Sequence, residues 1–178
     1  MTISLAIDTS TSRTLVAIVK DGTVLWSGFR DGATEHGPAL PALVQEGIKG
    51  FEISEVVVGM GPGPYTGLRI GIAFAQSFAL ARAIPVRGVC SLDAIAAQVN
   101  EAEFIITVDA RRKEVYWARY SNGARVGEPS VNFPADVTGA TIYPDLYPDF
   151  KALVALPGNI TQPIYLRRPD AIATVDRR

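Results

Sequence analysis

Two aspartates, Asp8 and Asp109, each end a short apolar run and open a small polar turn. A pair of carboxylates at strand ends can position Mg²⁺ and its water around a nucleotide. That use wants glycine in both turns, so that backbone amides can approach phosphate. The turns instead read Asp8-Thr9-Ser10-Thr11 and Asp109-Ala110-Arg111-Arg112. Hydroxyls substitute in part in the first; the second, with its arginines, departs further. The plainer reading is two relic carboxylates that cap their turns by Asx-type hydrogen bonds.

The second candidate is the glycine loop, Gly61-Pro62-Gly63-Pro64-Tyr65-Thr66-Gly67. It follows a strand-like run and opens a helix, the setting in which amides cradle phosphate. No Lys-Ser/Thr follows, and Thr66 breaks a G-x-G-x-x-G pattern. Pro62 and Pro64 also remove N–H donors. A rigid turn fits better. Arg111, Arg112 and Lys113 would suit RNA phosphate or an acidic partner, but a solvated hairpin tip explains them more simply. With one histidine (His36) and one cysteine (Cys90), no His-rich metal cage, internal disulfide or nucleophilic triad can be assembled. No metal site is expected, and Cys90 reads as an inert core thiol.

The elements that must hold these residues alternate between strand and helix, giving an α/β class. Asp8 lies between the runs 3–7 and 15–20, and Asp21-Gly22 joins the latter to 23–29 as a hairpin turn. Leu40, Leu43, Val44, Gly47 and Ile48 follow helical spacing within 38–50. Residues 55–60 and 86–90 read as buried strands, and Ser91 as the N-cap of a further helix. Between those strands, residues 66–83 form a helix that is apolar nearly all round. Gly67, Gly71, Ala75, Ala79 and Ala83 make a small-residue row at spacing four, and the opposite side carries Ile70, Phe74, Phe78 and Ala81. Such a row lets another helix approach closely. Two readings stand: a helix buried centrally in the monomer, or one whose spare face another protein covers. The excess of apolar helix surface favours the second. A membrane span is disfavoured by Arg69, Gln76 and Arg82.

The second half repeats the first. Asp8 and Asp109 lie 101 positions apart, as do Asp21 and Asn122, and Gly22 and Gly123. Strand, Asp, turn, strand, Asx-Gly and strand thus occur twice, the sign of an internal duplication. After Phe133 a proline-punctuated stretch leaves too little chain for a full set of helices. The expected organisation is a first lobe over 1–100 and a reduced second lobe over 101–178. The chain has 178 residues, of which 17 are Lys or Arg and 18 Asp or Glu. That balance argues against a free-standing nucleic-acid binder. The N-terminus lacks a basic leader region, so a cytoplasmic protein is expected.

The segments IDTSTSRTLVAIV, GPGPYTGLRIGIAFAQSFALA, VDARRKEVYWARY and PIYLR together resemble the TsaB (YeaZ) family across most of the chain. The resemblance implies a divergent actin/Hsp70/sugar-kinase fold of two ribonuclease-H-like lobes. It further implies a non-catalytic subunit in the making of threonylcarbamoyladenosine beside the anticodon of tRNA. The partners it implies are a TsaD-like catalytic subunit and a TsaE-like ATPase, with tRNA contacted only indirectly. TsaD-type chains carry H-x-x-x-H on the first helix, where this chain has His36 and Leu40. The partner-facing surface is expected on the first two helices, at His36, Leu40, Leu43, Val44, Gly67, Arg69, Gly71, Ala75, Phe78 and Ala79. Asp8, Thr9, Ser10, Thr11 and Asp109 would be a vestigial nucleotide site, with ATP or ADP at most at a subunit junction. Alone, the chain could pair with itself through the same helices. The competing reading is a Mg-ATP-dependent ATPase or small-molecule kinase of the same fold.

Overall fold

The computed structural model describes residues 2–167. Strands β1 (Ile3–Asp8), β2 (Arg13–Lys20) and β3 (Thr23–Asp31) form a meander, followed by α1 (His36–Gly47) and β4 (Glu55–Gly59). Then come α2 (Tyr65–Arg82), β5 (Val86–Val89) and α3 (Ser91–Ala96). The second meander is β6 (Glu103–Asp109), β7 (Val115–Ser121) and β8 (Ala124–Asn132), and the described chain closes with β9 (Thr141–Tyr143) and α4 (Phe150–Ala155).

The repeat read from the sequence is physical. One sheet has the order β3-β2-β1-β4-β5 and the other β8-β7-β6-β9. In both, the meander is antiparallel, and the strand that ends in the Asp pairs in parallel with the next strand along, β4 or β9. Both hairpins turn through left-handed residues, Asp21 (φ 46°) and Gly22 (φ 78°), then Asn122 (φ 48°) and Gly123 (φ 79°). These match the right-handed strand twist, which is why Asx-Gly is selected there. Among the described residues the second copy has no counterpart of α1 or β5. A single 3-10 turn at Pro134–Asp136 stands between β8 and β9.

The first sheet is covered on both faces, which accounts for the unbroken apolar runs of β1, β2 and β4. Leu5, Ile7, Val16, Ile18, Val56 and Val58 face α1 and α2. Ala6, Ala17, Val19 and Val57 face Leu153 of α4. Helices cross between the halves: α3 places Leu92 and Ile95 in the second core with Phe104, Ile106 and Tyr120, while α4 covers the first sheet. Arg87 of β5 fixes that crossing, pairing with Glu55 and donating to the Val154 and Leu156 carbonyls at 3.1 and 3.0 Å. Among the described residues no helix is long and apolar enough to cross a membrane.

Candidate functional site: a sealed turn and an open helix face

Asp8 is fully buried, and its carboxylate is committed. Oδ1 accepts from the Ser10 amide (2.8 Å) and hydroxyl (2.6 Å), and Oδ2 accepts from the Ser91 hydroxyl (2.6 Å). Burial raises its pKa, opposed by those Ser10 and Ser91 hydrogen bonds. The Asx-type cap read from the sequence is present. Ser91 differs from expectation: Cys90 is the N-cap of α3 and makes no side-chain cap bond. Its neighbour's hydroxyl turns instead to Asp8, whose burial demands a donor.

The rest of the first turn is closed by glycines. A Cβ at Gly59 would overlap Asp8 Oδ2, one at Gly63 the Ser10 carbonyl, and one at Gly71 the Thr9 hydroxyl. At Gly67 it would lie 2.9 Å from the Thr9 carbonyl, and the Thr9 hydroxyl donates to the Gly67 carbonyl at 2.7 Å. Glycine every fourth position, from 59 through 71, lets β4, the loop and α2 close on residues 8–10. The glycine loop is therefore a plug for the turn. Thr9 and Ser10 are 1% exposed and Thr11 8%, so the amides that would meet a phosphate are covered by protein.

Asp109 behaves differently. It is exposed, accepts from the Arg111 amide at 2.9 Å, and lines a cleft with Thr11, Ser12, Pro64, Arg111, Asp145 and Tyr147. Asp8, Thr9 and Ser10 do not line that cleft. Its cavity of about 50 Å³ holds a few water molecules, far short of a nucleotide. The two carboxylates of the sequence reading do not converge on a common open site.

His36 opens α1 but points inward, 2% exposed, with Nδ1 2.8 Å from the Thr14 hydroxyl and a backbone hydrogen bond to Thr11. Burial lowers its pKa. It ties α1 to the sealed turn, and among the described residues no cluster of three metal-ligating side chains occurs. The expected partner surface needs a correction at residue level. His36, Leu40, Leu43, Val44, Gly67, Gly71, Ala75 and Ala79 are all buried within the chain. The small-residue row receives the Thr9 turn, with His36 of α1 against Gly67, and packs on β4 within the chain. Arg69 and Phe78 are reachable. The outer side of α2 presents Arg69, Ala73, Ser77 and Leu80 (83% exposed), flanked by half-buried Phe74 and Phe78. The outer side of α1 presents Pro38, Pro41 and Ala42.

A duplicated meander-and-crossover sheet, with helices exchanged between the halves, defines the actin-like α/β class. The family model for TsaD, tRNA N6-adenosine threonylcarbamoyltransferase, matches residues 35–146. An uncharacterized protein of Mycobacterium tuberculosis is 41% identical, over 94% of this chain and 92% of its own. The Escherichia coli tRNA threonylcarbamoyladenosine biosynthesis protein TsaB is 39% identical, over 70% of this chain and 58% of its own. YeaZ from Pseudomonas aeruginosa superposes with a TM-score of 0.73 at 26% identity, over 86% of this chain and 89% of its own. The chain belongs to the TsaB/YeaZ family of tRNA threonylcarbamoyladenosine biosynthesis proteins. It spans a little over half the length of the relatives that carry the TsaB name.

Proposed function

We propose that the chain is a non-catalytic accessory subunit that docks a TsaD-like catalytic subunit through the outer faces of α1 and α2. The observation that carries this reading is the sealed first turn: every oxygen of Asp8 has a protein donor, and glycine-bearing backbone fills the space beside it. An actin-like ATPase needs that space for phosphate and metal. The freed role falls to the surface. Leu80, Ala73 and Phe74 on α2, beside Pro38, Pro41 and Ala42 on α1, form a low-charge face of the kind that partners cover. A TsaE-like ATPase completes the assembly, and self-pairing through the same face occupies it when the catalytic subunit is absent. Residues 1–100 and 101–178 serve as two lobes, the first carrying the docking face and the second supporting it.

The test has two arms. Purified chain should hydrolyse no ATP above background, and should co-elute with a TsaD-like protein. Phe74→Asp, on the half-open face, should abolish co-elution without unfolding the chain. Mg-dependent hydrolysis abolished by Asp8→Ala would replace this reading with the ATPase one.

A further inference from the structure

The outer row of α2 does not stop at Arg69. One turn earlier it reaches Tyr65, the first residue of the helix, and there a distant segment joins it. The Ile164 amide donates to the Met60 carbonyl at 2.8 Å, which pins that segment beside the glycine loop. Tyr165 then lies against Tyr65, with ring centroids 5.1 Å apart. Both rings are partly open, at 41% and 38% exposure. Tyr65, Arg69, Ala73, Ser77 and Leu80 thus form one exposed line on successive turns of the helix.

Arg69 is held in place at this end. Its Nη1 donates to the Tyr65 hydroxyl at 2.7 Å, and its guanidinium carbon lies 4.9 Å from the Tyr65 ring centre. The opposite edge, Nε and Nη2, has no partner among the described residues. Twice in this chain that edge closes on a carboxylate. Arg13 grips Asp31 through Nε and Nη2 at 2.7 and 3.2 Å, and Arg87 grips Glu55 through the same nitrogens at 2.9 and 3.0 Å. The planar fork matches the two oxygens of a carboxylate. At Arg69 the tyrosine has already set the fork, on an exposed side chain that no carboxylate of the described residues meets.

We propose that Arg69 receives a carboxylate side chain of the protein that docks on α1 and α2, with Tyr65 and Tyr165 as the apolar collar around the pair. The inference rests on the docking reading above and names the chemistry that this face recognises in its partner. Arginine and tyrosine are the residue types that most often carry interface affinity. A collar that excludes water strengthens the fork's hydrogen bonds. Ala73 and Ser77, between Arg69 and Leu80, are small enough to let the partner come close. An apolar group over Arg69 would bury the fork without an acceptor, which is strongly unfavourable. A second copy fits poorly: α2 carries no carboxylate, so two paired α2 helices would leave both arginines unmatched.

The test is calorimetric titration of the whole chain with a TsaD-like subunit, at low and at high salt. Arg69→Ala should weaken binding about tenfold or more and flatten its salt dependence. Arg69→Lys, which keeps the charge and loses the fork, should recover only part of the affinity. Tyr65→Phe keeps the ring but removes the hydroxyl that sets the guanidinium, and should weaken binding by a smaller factor than Arg69→Ala. Lys151→Glu, exposed on α4 across the first sheet, should change neither affinity nor salt dependence. Arg69→Ala or Arg69→Lys binding like the parent, or an unaltered salt dependence in Arg69→Ala, would overturn the proposal. So would an Arg69→Ala variant that changes only the chain's self-association, which would give the arginine to a second copy. If Phe74→Asp abolishes binding while Arg69→Ala leaves it intact, this inference alone fails. If the parent does not bind at all, the docking reading fails and takes this inference with it.

Discussion

Asp8 shows how a residue type can be legible while its use is not. An aspartate at a strand end before Thr9-Ser10 already implied a turn cap, and Ser10 supplies that bond. What no local pattern could convey is Ser91, 83 positions away, whose hydroxyl completes the shell. The same holds for the glycines. Their spacing marked a close approach, and the approach is real, but what arrives is the Thr9 turn. Gly71→Ala should therefore act as an overpacking change and cost about 1–3 kcal/mol, read as a lower denaturant midpoint at unchanged slope. His36 gives a pH signature. Its folded pKa lies below its ordinary 6.5, so the unfolded chain binds the proton more readily. Stability is then full above about 6.5 and falls as pH drops through the folded value. Asp8, whose pKa burial raises above its ordinary 3.8, works in the opposite sense, since the folded chain binds that proton more readily. Thermal melts from pH 7.5 to 5 should show a decline that His36→Gln largely removes.

At the scale of elements, strands and hairpins were the most legible features. Asp21-Gly22 and Asn122-Gly123 demand left-handed backbone, and an alternation or run of apolar residues surrounds each. Helix α2 was legible as an element with two contact faces, because spacing fixes which side chains share a side. It does not fix what lies against them. Gly67 and Gly71 meet the chain's own Thr9 turn and Ala75 and Ala79 are buried with them, so the face proposed for docking is the Ala73–Phe74–Leu80 side. Helix α4 was hidden in the proline-rich stretch, since six residues carry little periodicity and its partners lie far off in sequence. Asp149 caps it by accepting from the Ala152 amide at 2.8 Å, and Leu153 is fully buried. Leu153→Ala should cost about 2–5 kcal/mol, or several degrees in melting temperature for a chain of this size. A change under about 1 kcal/mol would mean that α4 does not hold the first sheet.

For the whole molecule, the 101-residue repeat sets the architecture, with one meander sheet in each half. Among the described residues the second copy keeps its meander and β9 and shows no counterpart of α1 or β5. Through α3 and α4 each half packs a helix beneath the other's sheet, and Arg87 pins one crossing. An arrangement locked in this way, around an Asp8 turn closed by glycine, suits a subunit that presents a fixed face to another protein. The most direct measurement is size-exclusion chromatography of the chain with a TsaD-like subunit, using the parent and Phe74→Asp in parallel with ATP turnover of the chain alone. The account predicts a stable complex for the parent, none for Phe74→Asp, and no turnover. A complex that survives Phe74→Asp, or turnover that depends on Asp8, would contradict it.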